Sequence, residues 1–373
     1  MDLNRDLIAQ HDNGNMLGAI ASLPEQLQTA YLEAHAYLED LFQTCRVGLP
    51  AAPSGLVICG MGGSAIGGDL VLGSLPNLDV PAAVVRGYEL PRWVDAHTLV
   101  IAVSYSGDTA ETLACVEEAL ARGCAPVCIC SGGRLAELAA INDLPHVAIP
   151  GGQQPRAALG LLAGPVLAAC EVAGLCGPQQ GAVAETVELL RRGNDELGPD
   201  APEEAIQPGA RPGLPQRQIA KPLARQLHER QVCIYGAGPT VAAARRWKGQ
   251  VNENAKAPAF FNELPELDHN ELMAWTSLPH VSQSTAVVFL NDGEHDDRLV
   301  LRAELTANVL EEHGVLVEHV WAHGPGRLAR LFSLVQLGDY VSFYLALLYG
   351  VDPSPVAAIQ KFKEQLAGRT AVV

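Results

Sequence analysis

Apolar residues fall along this chain in two rhythms. Over residues 1–48, Leu27, Tyr31, Ala34, Tyr37, Leu38 and Leu41 recur at the three-to-four spacing of a helix, which predicts an N-terminal helical segment. From Gly55 the rhythm changes to short, continuous apolar runs that end in Gly or Ser. These are LVICG (56–60), PAAVVRG (81–87), TLVIAVSYSG (98–107), PVCICSGG (126–133) and HVAIPGG (146–152). Helix-like segments such as DTAETLACVEEALARG (108–123) lie between them. Strands without polar alternation, joined by helices, are the signature of a parallel sheet buried on both faces, with ligands at the strand carboxyl ends. A long helical region is expected from Ala157 to about Arg192.

Residues 195–217 carry five prolines and few large apolar side chains, so they read as a linker rather than a core element. The pattern then restarts. Runs at 231–247, 285–292 and 315–324 read as strands, and VLEEHG and 328–350 read as helices. The expected architecture is α/β, with two three-layer α/β/α domains at 49–194 and 218–350. A helical segment at 1–48 precedes them, and a helix and tail at 351–373 follow. The halves look duplicated: VICGMGGSAIGG (57–68) aligns with CIYGAGPTVAAA (233–244), matching Gly60 to Gly236, Gly62 to Gly238 and Ser64 to Thr240. Two such domains facing each other would leave a pocket between them.

Composition narrows the partners. The 373 residues are 48% hydrophobic and 18% charged, enough for two cores. A net charge of −17 argues against nucleic acid and anionic membrane as partners. An anionic ligand would therefore be met by local amides and a few chosen cations. The nine cysteines are scattered through apolar runs, as at Cys59, Cys115, Cys170 and Cys233, and read as reduced core thiols of a cytoplasmic protein. Cys124, Cys128 and Cys130 resemble metal ligands only briefly, because they sit in a strand entry with Cys128 and Cys130 on one face. The polar N-terminus MDLNRDLIAQHDNGNM lacks a signal-peptide core, and no apolar run is expected to span a bilayer.

Three segments carry chemistry. Gly60-Met61-Gly62-Gly63-Ser64-Ala65 follows a strand and opens a helix, where glycines let a backbone approach a phosphate and free amides meet an anion. It also satisfies G-x-G-x-x-A, but Asp79 and Glu89 are poorly placed to be the ribose-binding acid of a dinucleotide fold. Ser104-Tyr105-Ser106-Gly107-Asp108-Thr109 ends a strand before a helix and offers three hydroxyls with free amides, a phosphate cradle without lysine. Ser106 or Asp108 could also cap the following helix. The third segment, RWKGQVNENAKAPAFFNELPELDHNEL (246–272), interleaves amides, carboxylates, an imidazole and aromatics around two prolines. It reads as a half-buried polar site on loops, where pKa values can be tuned for proton transfer.

Together GMGGSAIGGD, SYSGDTAET and RWKGQVNENAKAPAFFNELPELDHNE closely resemble the bifunctional phosphoglucose/phosphomannose isomerases, double sugar isomerase (SIS) domain proteins of the phosphoglucose isomerase superfamily. The resemblance extends over most of residues 40–373. It implies reversible conversion of glucose 6-phosphate and mannose 6-phosphate to fructose 6-phosphate, without a metal or other cofactor. Glu253 in NENAK matches the family's base, which carries a proton between C1 and C2 through an enediolate. His269 in LDHNE matches the histidine that assists ring opening and is supplied across a homodimer interface. Arg156 in IPGGQQPRAALG matches the arginine that steadies the enediolate oxygens. Ser104, Ser106 and Thr109 match the phosphate contacts, with Gly63 and Ser64 beside them. Asp108 stands where the family more often has asparagine.

In DPSPVAAIQKFKEQL, Val356, Ile359, Lys363 and Leu366 follow helical spacing, which predicts that Lys363 lies on an inward stripe. Lys363 also falls at the family's active-site lysine. Two other readings compete with the enzyme: a non-catalytic SIS-domain sensor of sugar phosphates, and a dinucleotide-dependent oxidoreductase. Sensors of that kind usually carry a basic DNA-binding module, and none is evident in this acidic chain.

Overall fold

The apolar runs become two parallel sheets. The computed structural model describes residues 2–44, 50, 52–75, 78–203 and 219–370. The chain opens with three helices, α1 (Arg5–His11), α2 (Met16–Ala21) and α3 (Leu23–Gln43). Then come β1 (Gly55–Cys59), α4 (Gly62–Ser74), β2 (Ala82–Val85), β3 (Thr98–Ser104), α5 (Ala110–Ala121), β4 (Val127–Cys130), α6 (Gly133–Ile141) and β5 (His146–Ala148). These strands form one parallel sheet in the order β2-β1-β3-β4-β5. Every residue of β1, β3 and β4 is buried, which is why those strands read as unbroken apolar runs.

A 3₁₀ turn at Pro155–Ala157 leads into α7 (Leu159–Val172) and α8 (Gln180–Leu197). The helical region expected from 157 is thus two helices broken at residues 173–179. The second unit contains α9 (Ala220–Leu227), β6 (Gln231–Ala237), α10 (Thr240–Asn254), β7 (Ala259–Leu264), α11 (Pro279–Gln283), β8 (Thr285–Asn291), α12 (Asp297–Glu312) and β9 (Leu316–Trp321). Its parallel sheet runs β7-β6-β8-β9. α13 (Arg327–Leu348) and α14 (Ala357–Thr370) complete the chain.

Four expectations need correction here. The run at 231–247 is half strand and half helix, because β6 stops at Ala237 and α10 starts at Thr240. The 246–272 segment is not held mainly on loops: its first third is the end of α10, and residues 259–264 are the edge strand β7. α8 runs past the expected linker start at 195 to Leu197, whose side chain is buried in the second core; residues 204–217 of that linker lie outside the described residues. Finally, α13 is long and apolar enough to cross a bilayer, with a mean hydropathy of 1.5, but 94% of that window is buried inside the protein.

Burial of α13 on all sides explains its all-round hydrophobicity. Leu328, Leu331, Phe332 and Val335 belong to the first core, while Leu337, Tyr340, Val341 and Tyr344 belong to the second. One helix therefore joins the two α/β units, packing against α4 of the first and α9 and α10 of the second. The suspected duplication has a geometric counterpart. Gly62 and Gly238 occupy the same step of their strand-to-helix turns, each with φ +50, a left-handed conformation in which a side chain would be strained.

Candidate active site

Because β1 and β3 are sheet neighbours, the β1–α4 turn and the β3–α5 loop lie side by side. Ser104, the last residue of β3, is buried; its hydroxyl accepts a hydrogen bond from the Gly107 amide (3.1 Å) and pairs with Thr109 Oγ1 at 2.9 Å. Ser64, in the first turn of α4, accepts from the Tyr105 amide at 3.3 Å and so ties the two segments together. Ser106 is exposed, and its Oγ accepts from the Asp108 amide at 3.3 Å. Gly63 packs against the 3₁₀ turn that carries Arg156, where an added Cβ would lie 3.0 Å from the Pro155 carbonyl oxygen. The structure thus brings Gly63, Ser64, Ser104, Ser106 and Thr109 together. Thr109 stands at the start of α5 with no side-chain cap, leaving first-turn amides for an anion.

Asp108 does not cap α5, and neither does Ser106. The Asp108 carboxylate accepts from the Arg134 amide at 3.0 Å, in the first turn of α6. Its negative charge is thereby turned to a helix start, where it is favourable. The dinucleotide reading loses its remaining support at the end of β2. The residue after that strand is Arg86, whose guanidinium pairs with Asp69, so no acid stands where a ribose would need one.

Glu253 and Arg156 meet between the two units. Arg246, Gln250, Glu253 and Asn254 follow helical spacing along α10 and share the face that meets α13 and the Pro155–Ala157 turn. The buried Arg246–Asp339 ion pair (2.7 Å) anchors this face, and the same Arg246 Nη2 donates to the Arg156 carbonyl at 2.9 Å. Arg156 is only 4% exposed. Its Nε donates to Asn254 Oδ1 at 2.7 Å, its Nη2 to the carbonyls of Pro353 (2.7 Å) and Ser354 (2.8 Å), and its Nη1 to Gln154 at 3.3 Å. Nη1 also faces Glu253 Oε2 at 3.5 Å, and the Glu253 side chain is 33% exposed. A half-open carboxylate beside a fixed guanidinium can move a proton at a carbon next to an oxygen that the guanidinium stabilises. Burial pulls the Arg156 pKa down from its ordinary value, with Glu253 opposing.

Two residues of the same NENAK motif, not singled out from sequence, complete this arrangement. Asn254 is fully buried and bridges Arg156 to the Ser342 hydroxyl (3.0 Å). Lys256 Nζ donates to the carbonyls of Glu253 (2.5 Å) and Pro353 (3.0 Å). Their signal was proximity in sequence to Glu253; which helix face each would occupy was not legible.

The structure of one chain does not bring His269 or Lys363 to Glu253. His269 is exposed at the end of a 3₁₀ turn (Glu266–His269) after β7 and makes no hydrogen bond with Glu253 or Arg156. Lys363 does not lie on an inward face: residues 357–366 of α14 are exposed all round, Ile359 and Leu366 included. The spacing is helical as expected, but the stripe is exposed rather than turned inward. Cys124, Cys128 and Cys130 are free and buried, with Cys128 pushed up to about 12 by burial, and no metal-holding cluster occurs among the described residues.

The corresponding loop of the second unit is differently furnished. After β8, where the first unit places its serines, Asp292 is buried and pairs with Arg330 at 2.9 Å. A buried carboxylate in that loop disfavours an anion, so among the described residues the hydroxyl-rich cradle belongs to the first unit.

Two parallel α/β units, the first with a hydroxyl-rich strand end, define a double sugar isomerase domain protein. Residues 79–153 match the SIS domain family model, and residues 216–366 match the bacterial phospho-glucose isomerase C-terminal SIS domain. A bifunctional phosphoglucose/phosphomannose isomerase of Caldicellulosiruptor bescii is 39% identical over 94% of this chain and 99% of its own length. Another, of Aquifex aeolicus, is 37% identical over 84% of this chain and 90% of its own. Among solved structures, a hypothetical protein from Thermus thermophilus shares the fold with a TM-score of 0.72 at 18% identity, covering 99% of this chain and 94% of that one. The chain belongs to the bifunctional phosphoglucose/phosphomannose isomerase family, and with it to the sugar-phosphate isomerases.

Proposed function

We propose that this protein interconverts glucose 6-phosphate and mannose 6-phosphate with fructose 6-phosphate by proton transfer through an enediolate, without a metal. The observation that carries this reading is the Glu253–Arg156 pair at 3.5 Å, linked through Gly63 to the hydroxyl cradle of Ser104, Ser106 and Thr109. The cradle holds the phosphate. Glu253 then takes the C2 proton of the open-chain aldose and delivers a proton, partly exchanged with solvent, to C1, while Arg156 Nη1 stabilises the oxygens as they gain charge. Binding either C2 epimer leads to the same enediolate, which accounts for two aldoses and one ketose.

His269 and Lys363 handle ring opening in this reading, with His269 reaching the site of a second copy. Its support is the surface around it. Asp268 is tied to α12 through Arg302 and Thr306 (both 2.8 Å), and α12, the neighbouring β7 and the segment between β7 and α11 expose Leu301, Leu305, Phe260, Met273 and Leu278. α14 adds exposed Ile359, Phe362 and Leu366. Exposed apolar side chains of this number are what a homodimer would cover. Domains at 49–194 and 218–350 and terminal segments at 1–48 and 351–373 fit the placement of the two sheets, with the linker between the domains starting after Leu197. A cytoplasmic setting fits the unpaired cysteines.

The test is fructose 6-phosphate formation from each aldose phosphate in the presence of EDTA, for wild type and Glu253→Gln. Turnover of both sugars by wild type, with a loss on the order of a thousandfold or more in the variant, is the expected result. No turnover of either sugar by folded wild-type protein would remove the enzymatic reading and leave a sugar-phosphate sensor.

A further inference from the structure

We propose that Lys256 is a positioning residue for this reaction, latching the start of the C-terminal segment onto the helix end that carries Glu253. The proposal rests on the isomerase reading above, but its geometry stands independently. From one ammonium, Lys256 donates to the Glu253 carbonyl at the end of α10 and to the Pro353 carbonyl between α13 and α14. Pro353 O also receives Arg156 Nη2, which reaches the Ser354 carbonyl as well. Two cations therefore grip a two-residue stretch of backbone.

The backbone at Lys256 points the same way. It has φ +57, just after the C-terminal end of α10, a left-handed position that glycine or asparagine fills at less cost. A lysine stands there despite that cost, and its side chain folds back to make both bonds. Strained positions of this kind persist where the side chain is used.

What the latch controls follows from what lies beyond it. Asp352 fixes the near side, accepting from the Ser354 amide (2.8 Å) and from Asn13 Nδ2 (3.1 Å). After Ser354 the chain enters α14, exposed throughout its described side chains, which carries Lys363. Residues 352–354 are thus the last anchored point before that helix, and Lys256 couples its placement to Glu253. The charged groups facing Lys256 are Arg156 from the turn after β5, Glu253 from its own helix and Asp352 from the C-terminal segment. Lys256 stays exposed to solvent overall, but partial desolvation of its ammonium, with help from Arg156, lowers its pKa to about 8. Below that pH the ammonium holds both carbonyls; above it the neutral amine is a weaker donor and the latch loosens. Between about 8 and the ordinary 10.5 the unfolded chain keeps a proton that the folded chain has lost. This group therefore favours folding more as pH rises, so an alkaline loss of activity through it is not unfolding.

The experiment compares full-length wild type, Lys256→Met and Lys256→Arg by two readouts. Hydrogen exchange of the amides at 352–360 needs no activity; kcat and KM for fructose 6-phosphate are followed from neutral to alkaline pH. Lys256→Met is expected to exchange on the order of tenfold faster in that segment and to lose about tenfold in kcat, with KM changed less than about twofold. The alkaline limb near pH 8 should vanish in Lys256→Met and move upward in Lys256→Arg. Unchanged exchange and an unmoved limb in both variants would overturn the latch. Should Lys256→Met fail to fold, the limb and exchange of Lys256→Arg against wild type still decide. If wild type does not isomerise, the functional reading fails, while the exchange data alone test the latch.

Discussion

Arg156 is held from several directions before any substrate arrives: by Gln154, by Asn254 and by the carbonyls of Pro353 and Ser354. A guanidinium fixed in this way needs no reorganisation as charge develops beside it, which makes it effective in a transition state. Asn254 is the buried member of this set. Asn254→Ala would leave the Arg156 Nε–H without its acceptor and the Ser342 hydroxyl without its donor partner. Urea unfolding should show a loss of about 2–3 kcal/mol. A loss below about 0.5 kcal/mol, the range of ordinary surface substitutions, would mean that Asn254 is not holding Arg156. The sequence made Glu253 and Arg156 visible because their motifs are distinctive. Asn254 and Lys256 lie in the same motif but act through burial and a left-handed turn, which residue types alone do not display. Lys363 was misplaced for a related reason: periodicity identifies a stripe, not what covers it.

At the scale of elements, the strands of the first sheet were legible because burial on both faces leaves no polar residue to interrupt them. β7 was not, since it is an edge strand of sequence AFFNEL with Phe260 exposed and Asn262 and Glu263 only partly buried or exposed. The end of α10 was obscured in the opposite way. Its buried face is polar: Arg246, Gln250 and Asn254 pair with Asp339, Arg156 and Ser342 instead of meeting apolar partners. A hydrophobic rhythm cannot report such a face. The helix α13 was recognised, but its role as the rod joining two cores depends on which of its sides meets which sheet.

Across the whole molecule, one chain assembles the cradle, Glu253 and Arg156, yet leaves His269 and Lys363 outside. A second copy supplying His269 reconciles this with the apolar surface of α12, β7 and the turn after it. Co-expressed Glu253→Gln and His269→Ala chains, each inactive alone, should then form heterodimers with one intact site and on the order of half the wild-type rate. If His269 serves its own chain, no mixture will recover activity. The central claim remains proton transfer by Glu253, and deuterium tests it most directly. Fructose 6-phosphate turned over in D2O should give glucose 6-phosphate and mannose 6-phosphate labelled at C2, and Glu253→Gln should abolish both product and label. Aldose formation or C2 labelling undiminished in Glu253→Gln would contradict it.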